Sequence, residues 1–444
     1  MRWRLMAILL AITIGLGVVQ VLTPKEIATR TRVVTTISSI ICPGSSVGAS
    51  VAISGRGVRL SPIGKLPKGV KDMPFTTSKD VTTRQLSSVA HLVEKSVGGT
   101  TQIDTSSGLA GLACPNEDSS YWFVGGSAAL ASQDRLILSN AGHGEATATI
   151  LAWTNKGVVP AYPVVVPAQT SIRVGLDSIV PGVNAVVIHL LVRSGRLAVS
   201  LYDQRTQGLT NLGADFVPPG IDPARKFVIL GVPGISGVSR KFRETRVLRL
   251  LSPKEDSSVR VDVIGAGDSF TPLGLDSIEL KAGIVLDIPV TAALPSSAYA
   301  FEVTADSPVV AGVFSNVGTS KGSDIVWSAS TPGLSAGATS ADFEGTTYLF
   351  YSHIATSVDI TTTYAGSMPV TSTLAIPAEN VVRWTPGKSS IGAAAIRFGS
   401  TRGMVYAARI LRNSSGVTTS PLRQISVSGR SRAPLADIGV GMPR

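Results

Sequence analysis

The chain has 444 residues and a formal net charge of +11, and only 16% of its residues are charged. That length exceeds one ordinary domain and points to three or four. Two cysteines, with no Cys-x-x-Cys, exclude a four-cysteine zinc site, and no recognition motif supports nucleic-acid binding. Ser, Thr, Val, Ala and Gly dominate over Glu and Lys, which favours half-buried strands over exposed helices.

Residues 5–22 (LMAILLAITIGLGVVQVL) carry no charge. At about 1.5 Å per residue they span ~27 Å, close to the hydrocarbon thickness of a bilayer. The run is longer than the apolar core of a cleaved signal peptide, and Val21-Leu22-Thr23-Pro24-Lys25 offers no small-x-small site. The segment therefore predicts one uncleaved transmembrane anchor, with residues 1–4 as a cytoplasmic tail. Arg2 and Arg4 favour an inside N-terminus, whereas Lys25, Arg30 and Arg32 pull the other way. No second apolar run of that length follows, so the rest of the chain is expected outside the cell membrane.

Residues 23–120 are expected to form a basic, β-rich unit. The first hundred residues hold 13 Lys/Arg against 4 Asp/Glu, and the remainder 27 against 25. Arg56, Arg59, Lys65, Lys68, Lys71 and Lys79 are the candidate contacts to anionic lipid or wall polymer; a solvated, positive stalk is the plainer alternative. Residues 32–41 and 48–54 read as strands, residues 61–83 as an irregular connection, and residues 85–97 as either a short helix or a strand. Cys42 and Cys114 are the whole thiol inventory, and in an oxidising compartment a lone pair implies a disulfide closing this unit.

Beyond residue 120 one pattern recurs three times. A strand (135–139, 247–251, 348–352) is followed by a second (147–153, 259–264, 358–364). A third passes through Ala168, Ala282 or Ala378, and a hairpin-like pair closes each copy. These pairs are 185–192 with 197–202, 299–304 with 309–314 around Ser307-Pro308, and 393–398 with 404–410. Unit size and turn spacing fit antiparallel β-sandwiches of immunoglobulin-like kind. The expected fold is an all-β ectodomain of such units in tandem, over 121–234, 235–336 and 337–444, after one N-terminal transmembrane helix.

Gly108-Leu109-Ala110-Gly111-Leu112-Ala113-Cys114-Pro115 is followed by Trp122-Phe123-Val124-Gly125-Gly126, then Leu136–Gly142 and Val166-Pro167-Ala168. With the N-terminal anchor, this arrangement resembles an uncharacterised family of actinobacterial membrane-anchored cell-envelope proteins. The resemblance covers nearly the whole chain. It implies envelope localisation and a β-rich fold, and it assigns no site residues. Ala141-Gly142 stands where proline is more usual, which bears on that turn alone.

Catalytic motifs are incomplete. His91, His143, His189 and His353 have no second histidine at i+3 or i+4. There is no Gly-x-Ser-x-Gly elbow, although a triad assembles from distant positions and sequence does not exclude one. Gly387-Lys388-Ser389 lacks the earlier glycine of a phosphate loop, where Val382 stands. Gly267-Asp268-Ser269-Phe270 lacks the alternating helices of its hydrolase fold. Trp122, Trp153, Trp327 and Trp384 are expected in the cores of their own sandwiches rather than stacked on sugars. Arg240-Lys241-Phe242-Arg243, Arg246 and Arg249 are expected on a solvated strand face. The resulting expectation is a noncatalytic envelope protein without cofactor, presenting a binding or scaffolding surface to wall glycan or membrane-bound assembly partners. The alternatives are an accessory component of glycan assembly and, third, an extracytoplasmic hydrolase.

Overall fold

A computed structural model describes residues 40–45, 48–64, 75–77, 80–93, 97–234, 244–291, 294, 299–319, 322–335, 337–399 and 403–424. The expected anchor at 5–22, Lys65, Lys68, Lys71, Lys79 and residues 240–243 lie outside these. Among the described residues no helix is long and apolar enough to cross a membrane. The fold is all-β, built from several antiparallel sheets, with one 3-10 turn at Leu176–Ser178.

Strand pairing sorts the chain into four units: A (40–113), B (120–217), C (224–329) and D (333–421). In each, alternating residues of two sheets meet in one apolar core, as period-2 side chains require. Unit A encloses Val51, Ile53, Val58 and Leu92 beside the cysteines. Unit B packs Phe123, Ile150 and Leu201, unit C Phe227, Val261 and Phe301, and unit D Tyr348, Phe350 and Phe398. Residues 85–97, ambiguous in sequence, contribute to the strands Val81–Leu86 and Ala90–Val93 and the start of Val97–Asp104.

The three repeats share one turn. Ala168, Ala282 and Ala378 each precede a residue of positive φ: Gln169 (54°), Gly283 (73°) and Glu379 (52°). The N–H groups of those residues donate to Gly142, Ser252 and Ser352 carbonyls at 3.2, 2.8 and 2.8 Å. Two non-glycine residues accept this left-handed geometry because the same backbone bond closes the turn.

Two expectations are corrected. The closing strand pairs are not hairpins. Val186–Ser194 pairs with Ala146–Thr154 and Ser120–Val124, whereas Ala198–Gln207 pairs with Arg135–Asn140 and Thr210–Val217 in the facing sheet. Ala393–Phe398 and Val405–Asn413 likewise belong to different sheets. In unit C the two are one 21-residue strand, Tyr299–Thr319. Its first half pairs with Ala224–Val232 and Ser257–Ile264, its second with Thr245–Leu251 and Gly322–Ala329. A strand that changes sheets turns a corner of a two-layer fold. The boundaries also move: Ala224–Val232 joins unit C rather than the first repeat, and Gly333–Leu334 joins unit D.

The units are not beads on a string. Ala110 and Leu112 of A pack on Ile137, Tyr202 and Phe216 of B. Trp122 and Trp153 of B meet Leu251, Val285 and Val310 of C. Val228 and Leu230 of C meet Leu349 and Tyr351 of D, and Ala341 and Ala393 of D return to Ala52 and Val81 of A. The contact order A–B–C–D–A is closed.

Candidate functional site

The last strands of the four units, Ala110–Ala113, Thr210–Val217, Gly322–Ala329 and Gly416–Pro421, converge. N–H groups on or beside three of them turn to a carboxylate on the fourth, which satisfies these buried donors. Asp324 Oδ2 accepts from Leu109 N–H at 3.1 Å and Val417 N–H at 3.0 Å, and Oδ1 from Ala214 N–H at 3.3 Å. Gly108, Gly213 and Gly416 admit that carboxylate. A Cβ on them would lie 2.2, 2.6 and 1.6 Å from its oxygens. Burial pushes Asp324 up to about 7 against the pull of the backbone donors. Beside it, Asp215 accepts from Gly111 N–H (3.2 Å), Trp327 N–H (3.0 Å) and the Thr418 hydroxyl (2.8 Å), and burial raises it well above the carboxylate range.

Other buried charges also join units. Arg409 of D pairs with Asp342, and both bond Thr101 of A. Burial and the neighbouring Asp342 keep the Tyr348 phenol protonated, and it donates to that carboxylate at 2.5 Å. In B, burial opposes ionisation of Asp203, but Arg205 outweighs it and holds the carboxyl below its usual value. Asp134 is raised, first by burial and then by Asp203. Trp327, fully buried, donates its indole N–H to Asp203 at 2.8 Å.

Several expectations are therefore revised. Trp327 fills the core of B rather than of its own unit C, and Trp122 and Trp153 seal the B–C junction. Trp384 packs partly buried on the core of D. Arg246 and Arg249 are buried, not on a solvated face. Arg249 pairs with Asp287 and donates to the Gly126 and Val186 carbonyls, and Arg246 donates to Pro233. Alternation along Thr245–Leu251 puts the two on opposite faces: Arg249 points with Leu251 into the B–C junction, and Arg246 points with Leu248 and Leu250 toward the interior of C. The Cys42–Cys114 disulfide is present. Of the basic candidates, Arg59 is exposed and Arg56 is paired with Asp80 at 2.6 Å, which offsets its charge.

Three clusters have functional chemistry. At the C–D rim, Glu302 accepts from Lys226 (2.8 Å) and the Tyr351 hydroxyl (3.1 Å) and lies 3.2 Å from His353 Nδ1. Its carboxylate raises Lys226; burial, then Glu302, raises Tyr351. This is a proton-relay arrangement whose members satisfy one another. On B, Ser120 Oγ lies 2.9 Å from His189 Nε2, burial lowers His189, and Trp122 stacks on the imidazole at 4.0 Å. Between A and B lies a polar, solvent-open groove lined by Gly44, Ser45 and Asp104 of A and by Arg135, Arg173 and Tyr202 of B. Sequence spacing reveals none of these, because each joins strands far apart in the chain. Among the described residues no group of three or more His, Cys, Asp or Glu side chains is placed to hold a metal.

A family profile matches residues 76–386, well over half of the chain. The chain belongs to the DUF5719 family, a family of unknown function. No curated protein matches the sequence. Among solved structures, a tetra-tandem repeat from the extending region of a large adhesion protein matches at 11% identity. It covers 87% of this chain and 94% of that one, with a TM-score of 0.11.

Proposed function

We propose that this DUF5719 chain is a noncatalytic, extracytoplasmic module, anchored in the cell membrane by residues 5–22. Its immunoglobulin-like sandwiches present a fixed surface to wall glycan or to membrane-bound assembly partners of an actinobacterial envelope. The observation that carries the reading is the closure of four units on Asp324 and Asp215. Buried carboxyl groups that serve enzymes as acids and bases are here committed to N–H groups of neighbouring units, which holds the inter-unit surfaces in one geometry. The disulfide supports an oxidising compartment. In-cell photocrosslinking of the anchored chain tests the reading: envelope glycan or envelope proteins are the expected adducts, and exclusively cytosolic adducts refute it.

The hydrolase reading is favoured by the Ser120–His189 pair. Under the noncatalytic reading a fluorophosphonate probe leaves the folded chain unlabelled. Labelling that disappears in Ser120→Ala would establish the hydrolase instead.

A further inference from the structure

The groove between units A and B brings two guanidinium groups together on one sheet face. Arg135 and Gly175 are cross-strand partners, as are Ile137 and Arg173, so Arg173 is the diagonal neighbour of Arg135. Neither arginine is ion-paired with a described residue. The Arg135 guanidinium carbon sits over the Tyr202 ring, 4.4 Å from its centroid, a cation–π contact that helps order the fork. Two adjacent like charges repel each other, and an anion placed between them relieves that repulsion. The planar forks match a carboxylate or phosphate bidentately.

The opposite wall is of contrary character. Asp104 is nearly buried, and the hydrogen bond given to it comes from Ser106 N–H to Oδ1 at 2.8 Å. A carboxylate in the same groove disfavours a bare anion but suits the hydroxyl hydrogens of a sugar. Burial, and then Asp104, keep the Tyr202 phenol protonated, so it serves as a donor.

This wall is rigid. Gly44, two residues beyond Cys42, exchanges bonds with the buried Gln102 amide: Gly44 N–H to Oε1 at 2.9 Å and Nε2–H to the Gly44 carbonyl at 3.3 Å. A Cβ on Gly44 would lie 2.1 Å from the Ser88 carbonyl, and its φ is +63°. The disulfide and this clamp fix the rim before any ligand arrives, which lowers the ordering cost of binding.

We propose that the A–B groove is a binding site for an acidic saccharide, with Arg135 and Arg173 holding its anionic group and Asp104 accepting from its hydroxyls. The site deepens the binding-module reading, and it stands or falls on binding in vitro. A chain that crosslinks to the envelope yet binds no acidic oligosaccharide keeps that reading and loses this site.

The test is calorimetric titration of the full chain in detergent micelles with three probes: trigalacturonate, its methyl ester and inorganic phosphate. Trigalacturonate is expected to bind at least tenfold more tightly than either of the others. Arg173→Gln should weaken it about tenfold or more, and Arg173→Lys by less. Arg397→Gln, which removes an exposed charge from unit D, should leave it unchanged. Arg173 is exposed, so an unaltered melting temperature confirms that its variants fold. The site is refuted by equal binding of the ester, by phosphate binding as tightly as trigalacturonate, by no binding at all, or by an unaffected Arg173→Gln.

Discussion

Replacing Asp324 by Asn tests the hub directly, because it keeps shape and removes one acceptor. If the amide oxygen retains the Leu109 and Val417 N–H groups, the amide nitrogen faces the Ala214 N–H, donor against donor. An orphaned buried donor costs about 1–3 kcal/mol. The glycines crowding the carboxylate oppose any rotation that would relieve it. The pH dependence carries more information. The folded value, about 7, lies above the ordinary 3.8, so the native chain retains a proton that the unfolded chain releases. The stability this contributes is fully present below pH ~4 and is lost as pH rises to about 7, on the order of 4 kcal/mol in all. Asn has no such dependence. Denaturation midpoints of the full chain at pH 4.5, 6 and 8 should show wild type more stable than Asp324→Asn in acid. The gap should close, or reverse, by pH 8. Asp215, raised by burial, tilts both proteins in the same sense and largely cancels in the difference. A gap that stays constant or widens with pH would refute the reasoning, since the N–H groups would then be holding a permanently ionised carboxylate.

Removing the disulfide with Cys42→Ser/Cys114→Ser should cost about 4 kcal/mol, as expected for a bridge between residues 72 apart. An unchanged melting temperature, or full alkylation of both thiols in the unreduced exported chain, contradicts it. Arg409→Met strands Asp342 and Thr101 in the A–D junction and should cost about 3–5 kcal/mol. Because Asp342→Leu also orphans the Tyr348 and Thr101 hydroxyls, the test is the double-mutant cycle: Arg409→Met/Asp342→Leu should lose less in urea melts than the sum of the two single variants, and additive losses argue against an ion-pair tie.

Local physics was legible in the sequence, and long-range pairing was not. Alternation and Gly/Pro punctuation marked most strands, and the Ala168, Ala282 and Ala378 turns gave the repeat its register because a left-handed turn demands local chemistry. Val186–Ser194 and Ala198–Gln207 were misread as a hairpin for a definite reason. A short link implies pairing, yet nothing in either strand says that the other lies across the core, in the facing sheet. Ala224–Val232 looked like the end of one repeat because its pairing with Tyr299–Thr319 spans some eighty residues. The expected unit bounds at 234/235 and 336/337 followed from that same local view. The basic candidates were chosen from charge density. Arg56 was already offset by Asp80, and the groove arginines lay in a region of near-zero net charge. Gly108, Gly213 and Gly416 were the available signal, a glycine just before, within or at the start of the terminal strand in three of the units, but they acquire meaning only once Asp324 is placed among them.

A polar hub is a costly way to join four units, and its benefit lies in selectivity. An apolar plug tolerates shifted strands, since apolar contacts are non-directional and a slid residue finds comparable neighbours. Asp324 is satisfied only when Leu109, Ala214 and Val417 present their N–H groups together, one from each of the other three units. Unit C with only two of the others leaves a buried carboxylate short of a donor, and A, B and D without C leave three N–H groups without their acceptor, so partial assemblies are penalised at the centre before their peripheral contacts are counted. Unit A, whose core among the described residues is the smallest of the four, is the one most exposed to that penalty, and the disulfide falls there. The bridge holds the strand around Ile40–Cys42 to the chain just past Ala113, fixing Leu109 and Gly111 where Asp324 and Asp215 need them. The same constraint sets the Gly44 rim of the arginine groove, so closure of the four units and the shape of the proposed saccharide site depend on one covalent bond.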